Sequence, residues 1–151
     1  MVNLVCGVGP RVGSSFVMRQ CKVAGLPVLG TKYMHGQLPA AGNPGGYYCL
    51  TPEEVSRVTE GVAKVWPMQL PLMPVPADKV VVLERRDLDA QRRSIDIQSK
   101  RESFPVDADE LIQQSATVLT RYIKEIDPEV LFVSTEDLNS QIKNIINFLG
   151  E

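Results

Sequence analysis

The amino-acid sequence predicts an α/β protein, a three-layer α/β/α sandwich around a small, mainly parallel sheet. Two kinds of strand signal and their spacing predict it. Short apolar runs at Val2–Cys6 and Val130–Val133, and the β-branched run Lys79–Glu84 (KVVVLE), read as buried strands. The unbroken apolar centre of Lys79–Glu84 marks a strand covered on both faces, the habit of parallel sheets. Helical spacing fills Ser14–Ala24, Asp87–Lys100, Asp107–Ile126 and Thr135–Leu149, so strands alternate with helices along the chain.

Each element follows from local chemistry. In Ser14–Ala24, Phe16, Val17, Gln20, Cys21 and Ala24 lie on or near one helical face, Gly25 stops the helix and Pro27 prevents its restart. Leu26–Leu29 reads as a second short strand. Gly30–Tyr48 holds five glycines and two prolines and reads as a long surface loop of the kind that carries function. Thr51-Pro52-Glu53-Glu54 is a helix start, with a threonine cap, a proline in the first turn and acids at the positive end. That helix is expected to run to about Val65, before Pro67, Pro71, Pro74 and Pro76 break the chain. Gly150 closes the last helix.

At 151 residues the chain is expected to form a single domain over 1–151 with a full core. A net charge of −2 advertises neither nucleic acid nor an anionic membrane, so an anion site must be local. No apolar run approaches the ~20 residues of a membrane span, and Met1–Cys6, with neither a charged n-region nor a long h-region, leads to no expectation of secretion. Cys6, Cys21 and Cys49 lack metal-site spacing and leave an odd thiol, which suits free cysteines in a reducing cytoplasm.

The functional signal starts at Val8–Phe16 (VGPRVGSSF). A strand, a glycine-containing turn and a helix beginning Ser14-Ser15 place free N–H groups at a positive helix end, a ready anion site of the phosphate-binding-loop (P-loop) type. Against the pattern G-x-x-x-x-G-K-[ST], with Gly13 as the second glycine, Val8 replaces the first glycine and Ser14 the lysine. The cation is instead Arg11, two residues before Gly13. A plain turn with Ser14 as helix cap is the simpler alternative.

Pro10-Arg11-Val12-Gly13-Ser14-Ser15-Phe16 resembles the 5′-phosphosulfate loop of the sulfotransferases, P-[KR]-S-G-[TS]-[TS]-[WL]. The strand ending at Arg85-Arg86, with Ser94 eight residues after Arg86, is similar to that family's 3′-phosphate element. A helix starting near Asp87 brings Ser94 around about two turns later. The alternative for Arg85, Arg86, Arg92 and Arg93 is a solvated helix face paired with Asp87, Asp89 and Asp96, and it holds for Arg92 and Arg93. Gly25–Leu29, Asn43–Tyr48 and Phe148–Gly150 resemble the short bacterial and viral members, in which the tyrosine pair is followed by Glu where this chain has Cys49.

The resemblance implies binding of 3′-phosphoadenosine 5′-phosphosulfate (PAPS) without a metal, and transfer of sulfonate to a small sugar, phenol or amine. Arg11, Val12, Gly13, Ser14 and Ser15 would hold the 5′ end, and Arg86 and Ser94 the 3′-phosphate. Lys64-Val65-Trp66 resembles the family's Lys-x-His segment, so Lys64 would stabilise the transferring group while Trp66 stands where the general base belongs. With that base replaced, His35 is the first substitute, and Glu84, Asp87 and Glu53 stay open. Two rivals remain. One is a binding module without chemistry, favoured by Trp66; the other is a small kinase, which lacks the loop lysine.

Overall fold

The computed structural model describes residues 1–30, 50–102 and 106–151; His35, Tyr33, Tyr47, Tyr48 and Cys49 lie outside the described residues. The elements run β1 (Val2–Gly7), α1 (Ser14–Val23), α2 (Pro52–Val55), β2 (Gly61–Lys64), a 3-10 helix (Pro67–Leu72), β3 (Lys79–Glu84), α3 (Leu88–Glu102), α4 (Ala108–Ile126), β4 (Glu129–Ser134), a second 3-10 helix (Thr135–Asp137) and α5 (Leu138–Gly150). The four strands form one sheet in the order β2-β1-β3-β4. Every pair is parallel, with Val5 opposite both Lys64 and Val81, and Leu83 opposite Val133.

The strand period of two sorts the side chains into two cores. Leu4, Cys6, Ala63, Val80 and Val82 face one way and pack with Val55 of α2, Leu70 of the first 3-10 helix and Leu119 of α4. Val5, Val62, Val81 and Leu83 face the other way, onto Val17, Met18 and Cys21 of α1 and Leu138, Ile145 and Leu149 of α5. The result is three layers, with α1 and α5 on one face of the sheet and α4 with α2 and the first 3-10 helix on the other. Each fully buried Val, Leu or Ile contributes roughly 1.5–3 kcal/mol, which explains why β1 and β3 are almost wholly apolar. Among the described residues no helix is long and apolar enough to cross a membrane.

Two elements differ from the sequence reading. The helix opened by Thr51 has the expected threonine cap, which Glu54 completes as a capping box, yet it spans only Pro52–Val55. Gly61 then takes φ 95, and a Cβ there would lie 2.8 Å from the Pro27 carbonyl oxygen. Gly61–Lys64 pairs with β1 as a strand, so of Val55, Val58, Val62 and Val65, whose spacing looks helical, Val55 lies in α2, Val62 in β2, and Val58 and Val65 in the connections. The strand expected at Leu26–Leu29 is reduced to one parallel bridge, Val28 with Val62. The Leu29 N–H donates to the Val62 carbonyl and the Val62 N–H to the Pro27 carbonyl, at 2.8 and 2.9 Å.

The two ends of the sheet carry different chemistry. At the amino ends, the Asn3 amide donates to the Leu149 carbonyl at 2.9 Å, and buried Lys79 donates to the backbone oxygens of Phe148 and Glu151 at 2.8 and 3.1 Å. These donors satisfy carbonyls at the negative end of α5. At the carboxyl ends, β1 is followed in the chain by β2 on one side of it and β3 by β4 on the other, so the strand order switches direction between β1 and β3. Such a switch point is the usual ligand position in open parallel sheets. The Val8–Gly13 loop occupies that position.

Candidate functional site: an anion seat at the carboxyl edge

The loop after β1 is held by its carbonyl groups. The Val8 N–H donates to the Leu83 carbonyl at 2.8 Å, which keeps the chain beside β3. Beyond it, Gly9, Arg11 and Gly13 adopt positive φ of 82, 65 and 89. Turns built on such residues gather N–H groups on one side. Arg11 is not glycine, so it holds this conformation at a cost of about 1–3 kcal/mol that the surroundings must offset. They do so through the carbonyls. Gln91 Nε2 donates to the Val8 and Pro10 oxygens at 3.0 and 2.9 Å, and Arg85 Nη1 donates to the Arg11 oxygen at 3.2 Å. Thr135 Oγ1 donates to the Val12 oxygen at 2.7 Å, and the Val17 N–H to the Gly13 oxygen at 3.2 Å.

The donors are treated in the opposite way. Gly13 is the N-cap of α1, and no side chain caps the helix. Among the described residues, nothing accepts a hydrogen bond from the N–H groups of Arg11 through Phe16. Buried or half-buried N–H groups nearly always find a partner, and at the positive end of a helix the suitable partner is an anion.

Cations from three elements surround these donors. Lys64, at the end of β2, donates to Ser15 Oγ at 2.9 Å. Arg11 Nε donates to Ser94 Oγ of α3 at 2.8 Å, and Arg85 approaches from the end of β3. Val12 is buried beneath the loop, and Ser14 is half-buried in the first turn of α1. The arrangement therefore unites Arg11, Val12, Gly13, Ser14, Ser15, Lys64 and Ser94.

Arg86 is placed differently. Its guanidinium pairs with both Asp137 oxygens at 3.2 and 3.3 Å on the surface. Its backbone N–H and that of Asp87 donate to Glu136, and these two bonds hold the Glu136 carboxyl below its ordinary range. Arg86 and Ser94, grouped by their spacing, thus have different partners in the structure. Arg92 lies on the exposed face and pairs with Asp89, as its sequence context suggests, and also with Asp109 of α4, which that context does not supply.

The substitute bases are dispersed. Glu53 pairs with Arg57 on exposed α2, and Asp87 accepts the Ala90 N–H at 2.9 Å at the start of α3. Glu84 is exposed at the end of β3, and Trp66, two residues beyond Lys64, is 40 % exposed. Gln91, Arg85 and Thr135 are site residues that sequence reasoning missed. The one available signal was Gln91 itself, a polar residue four before Ile95 on the buried face of α3.

Fold and site together define an α/β protein with a donor-rich, cation-lined loop at the carboxyl edge of a parallel sheet. A scan against protein-family models finds no match, and a search of curated proteins finds none.

Proposed function

We propose that the chain binds PAPS and transfers its sulfonate to the hydroxyl or amine of a small acceptor, in the cytoplasm. The observation that carries this reading is the division of the loop: the Val8, Pro10, Arg11, Val12 and Gly13 carbonyls are held by protein donors, while among the described residues the N–H groups of Arg11 through Phe16 have no acceptor. The N–H groups of Gly13, Ser14 and Ser15, with Arg11, fit the phosphosulfate end, and no lysine in the loop calls for a triphosphate. In the reaction the acceptor forms a bond to sulfur while the bond between sulfur and the 5′-phosphate oxygen breaks, releasing adenosine 3′,5′-bisphosphate. Lys64, already on the first turn of α1, would balance the charge that gathers on that oxygen. The acceptor's proton needs a base. The Trp66 indole only donates, so His35 takes this role first.

Arg86 and Ser94 would take the 3′-phosphate. Arg86 gives up only an exposed pair with Asp137 to do so, and such pairs are worth about 0–1 kcal/mol. A charge-assisted phosphate contact exceeds that. The second reading, a module that binds the nucleotide without chemistry, is favoured by Trp66 alone. A radiolabelled sulfonate-transfer assay over sugars, phenols and amines, on wild type, Lys64→Ala and His35→Ala, tests the proposal. Transfer that weakens in both variants supports it. Firm nucleotide binding with no transfer to any acceptor assigns the binding module.

A further inference from the structure

The two edges of the sheet are treated differently. At β2, Val28 bridges Val62, the Leu29 N–H donates to the Val62 carbonyl and the Val62 N–H to the Pro27 carbonyl, so that edge is covered. At the other end of the strand order lies β4, with no strand beyond it among the described residues. Its register with β3 fixes which backbone groups face outward. The Glu129 N–H donates to the Asp78 carbonyl at 3.0 Å, and Glu129 lies opposite Lys79. Alternate residues of a strand address the same neighbour, so Glu129, Leu131 and Val133 bond to β3 while Val130, Phe132 and Ser134 turn outward. No described residue accepts a hydrogen bond from the N–H groups of these three.

The edge also lacks the devices that keep strand edges apart. Natural edges carry lysine, proline or a bulge. Val130-Leu131-Phe132-Val133-Ser134 has no charge, no proline and no glycine, and its pairing with β3 runs without a bulge. Phe132 is 67 % exposed, the one large apolar side chain exposed in a strand among the described residues. It shares a face of β4 with half-buried Val130, and Ile126 at the end of α4 is exposed as well. On the opposite face, half-buried Leu131 belongs to the same core as Ile142 and Ile146 of α5. An open ladder and an exposed aromatic thus form one surface.

We infer that β4 pairs antiparallel with β4 of a second copy of this chain, about a two-fold axis through Phe132, so that the two sheets become one. In regular antiparallel pairing, outward residues oppose outward residues, and a two-fold axis sets the strand against itself. With the axis at Phe132, Phe132 opposes Phe132, Val130 opposes Ser134 and Leu131 opposes Val133. The whole unprotected stretch then pairs at once. Moving the axis to Leu131 sets Pro128, which has no N–H, opposite Ser134. Moving it to Val133 sets Val130 opposite Glu136, whose carboxylate is already held by the Arg86 and Asp87 N–H groups. In the favoured register Glu129 meets Thr135, so no charge meets its like.

This match of the stretch with itself, in length, register and charge, points to a second copy rather than to a strand of another protein. The two Phe132 residues lie side by side on one face, with Cα atoms about 5.5 Å apart. Each ring has roughly 150–250 Å² to bury, and the strand is short, so the interface falls below the ~1,600 Å² of standard stable complexes. Association is therefore in the micromolar range. The antiparallel arrangement sends the carboxyl edges of the two sheets to opposite ends. Each Val8–Gly13 loop stays open, and the inference is independent of the reaction proposed there.

The experiment combines sedimentation velocity of the full chain, at concentrations on both sides of micromolar, with amide hydrogen exchange followed residue by residue by NMR. Wild type passes from monomer to dimer. The Val130, Phe132 and Ser134 amides become protected only as the dimer forms, whereas Leu131 and Val133 are protected throughout. Phe132→Lys sets two like charges opposite each other and weakens association about tenfold or more, and Phe132→Glu does the same. An equimolar mixture of these two variants regains the dimer, because Lys then meets Glu across the axis. A wild-type monomer at every concentration overturns the inference. If its edge amides are nonetheless protected, the edge is covered by the chain itself. A dimer that persists unchanged in Phe132→Lys, or a mixture that stays monomeric, also overturns it. Should either variant unfold, the alternating, concentration-dependent exchange of wild type decides alone.

Discussion

Replacing Gly13 with alanine tests whether the loop has the geometry described. Gly13 caps α1 at φ 89 and ψ 16, in the left-handed region. An L-residue there costs about 1–2 kcal/mol. The added Cβ would lie 2.5 Å from Leu138 Cδ1. Leu138 opens α5 and is 7 % exposed, packed in the core shared with Ile145 and Val133, so displacing it adds about 1–3 kcal/mol. Together these give a loss of about 2–5 kcal/mol. Domains of this kind have about 5–15 kcal/mol in all, so the variant stays folded but with a lowered urea midpoint and an unchanged slope by circular dichroism. Leu138→Ala removes the atom that the new methyl strikes. The double variant then loses less than the sum of the singles, by about 1–2 kcal/mol. A loss in Gly13→Ala below about 1 kcal/mol, or strict additivity with Leu138→Ala, refutes the placement of the loop against α5.

Arg86→Ala removes a surface pair and changes stability by less than about 1 kcal/mol, yet weakens binding of adenosine 3′,5′-bisphosphate by about 1.5–3 kcal/mol in calorimetry. An unchanged affinity excludes Arg86 from the site. Lys79→Met leaves the Phe148 and Glu151 backbone oxygens without their cation and lowers stability by about 1.5–3 kcal/mol in urea; no loss means the end of α5 does not depend on it. Burial pushes the Cys6 thiol up to about 12 from its ordinary 9.0, and that of Cys21 to about 11. Unfolded thiols therefore ionise first, so their contribution to stability is complete below pH 9.0 and is lost as pH rises through the folded values of about 11 and 12. Urea midpoints that fall less steeply above pH 9.0 in Cys6→Ala than in wild type confirm this, and equal slopes contradict it.

Much of the fold was legible because its signals are local. The apolar run of β3, the Thr51 cap with Glu54 and the Asp107 cap that accepts the Glu110 N–H each report their own segment. The helix expected to reach Val65 fails because β2 is only four residues long and is defined by its pairing with β1, a contact no window of sequence contains. The same distinction runs through the site. The spacing of Gly13, Ser14 and Ser15 after a strand points to a helix start, and one forms there. That Arg11 meets Ser94, that Lys64 meets Ser15, and that Gln91 holds the loop depend on how α3 and β2 pack beside β1, across 83, 49 and 83 residues of sequence. Arg86 shows the converse. Its spacing to Ser94 is suggestive, but the turn after β4 supplies Asp137 and Glu136 as its partners, and nothing near Arg86 in sequence announces them.

The central claim is that this loop takes a sulfonate donor of the 3′-phosphorylated adenosine type rather than a triphosphate. Isothermal titration calorimetry of the full chain against adenosine 3′,5′-bisphosphate, with ATP as the control, tests it most directly. The account predicts saturable binding of the bisphosphate, lost or strongly weakened in Arg11→Ala, and markedly weaker binding of ATP. Tighter binding of ATP, or no binding of the bisphosphate, would contradict it.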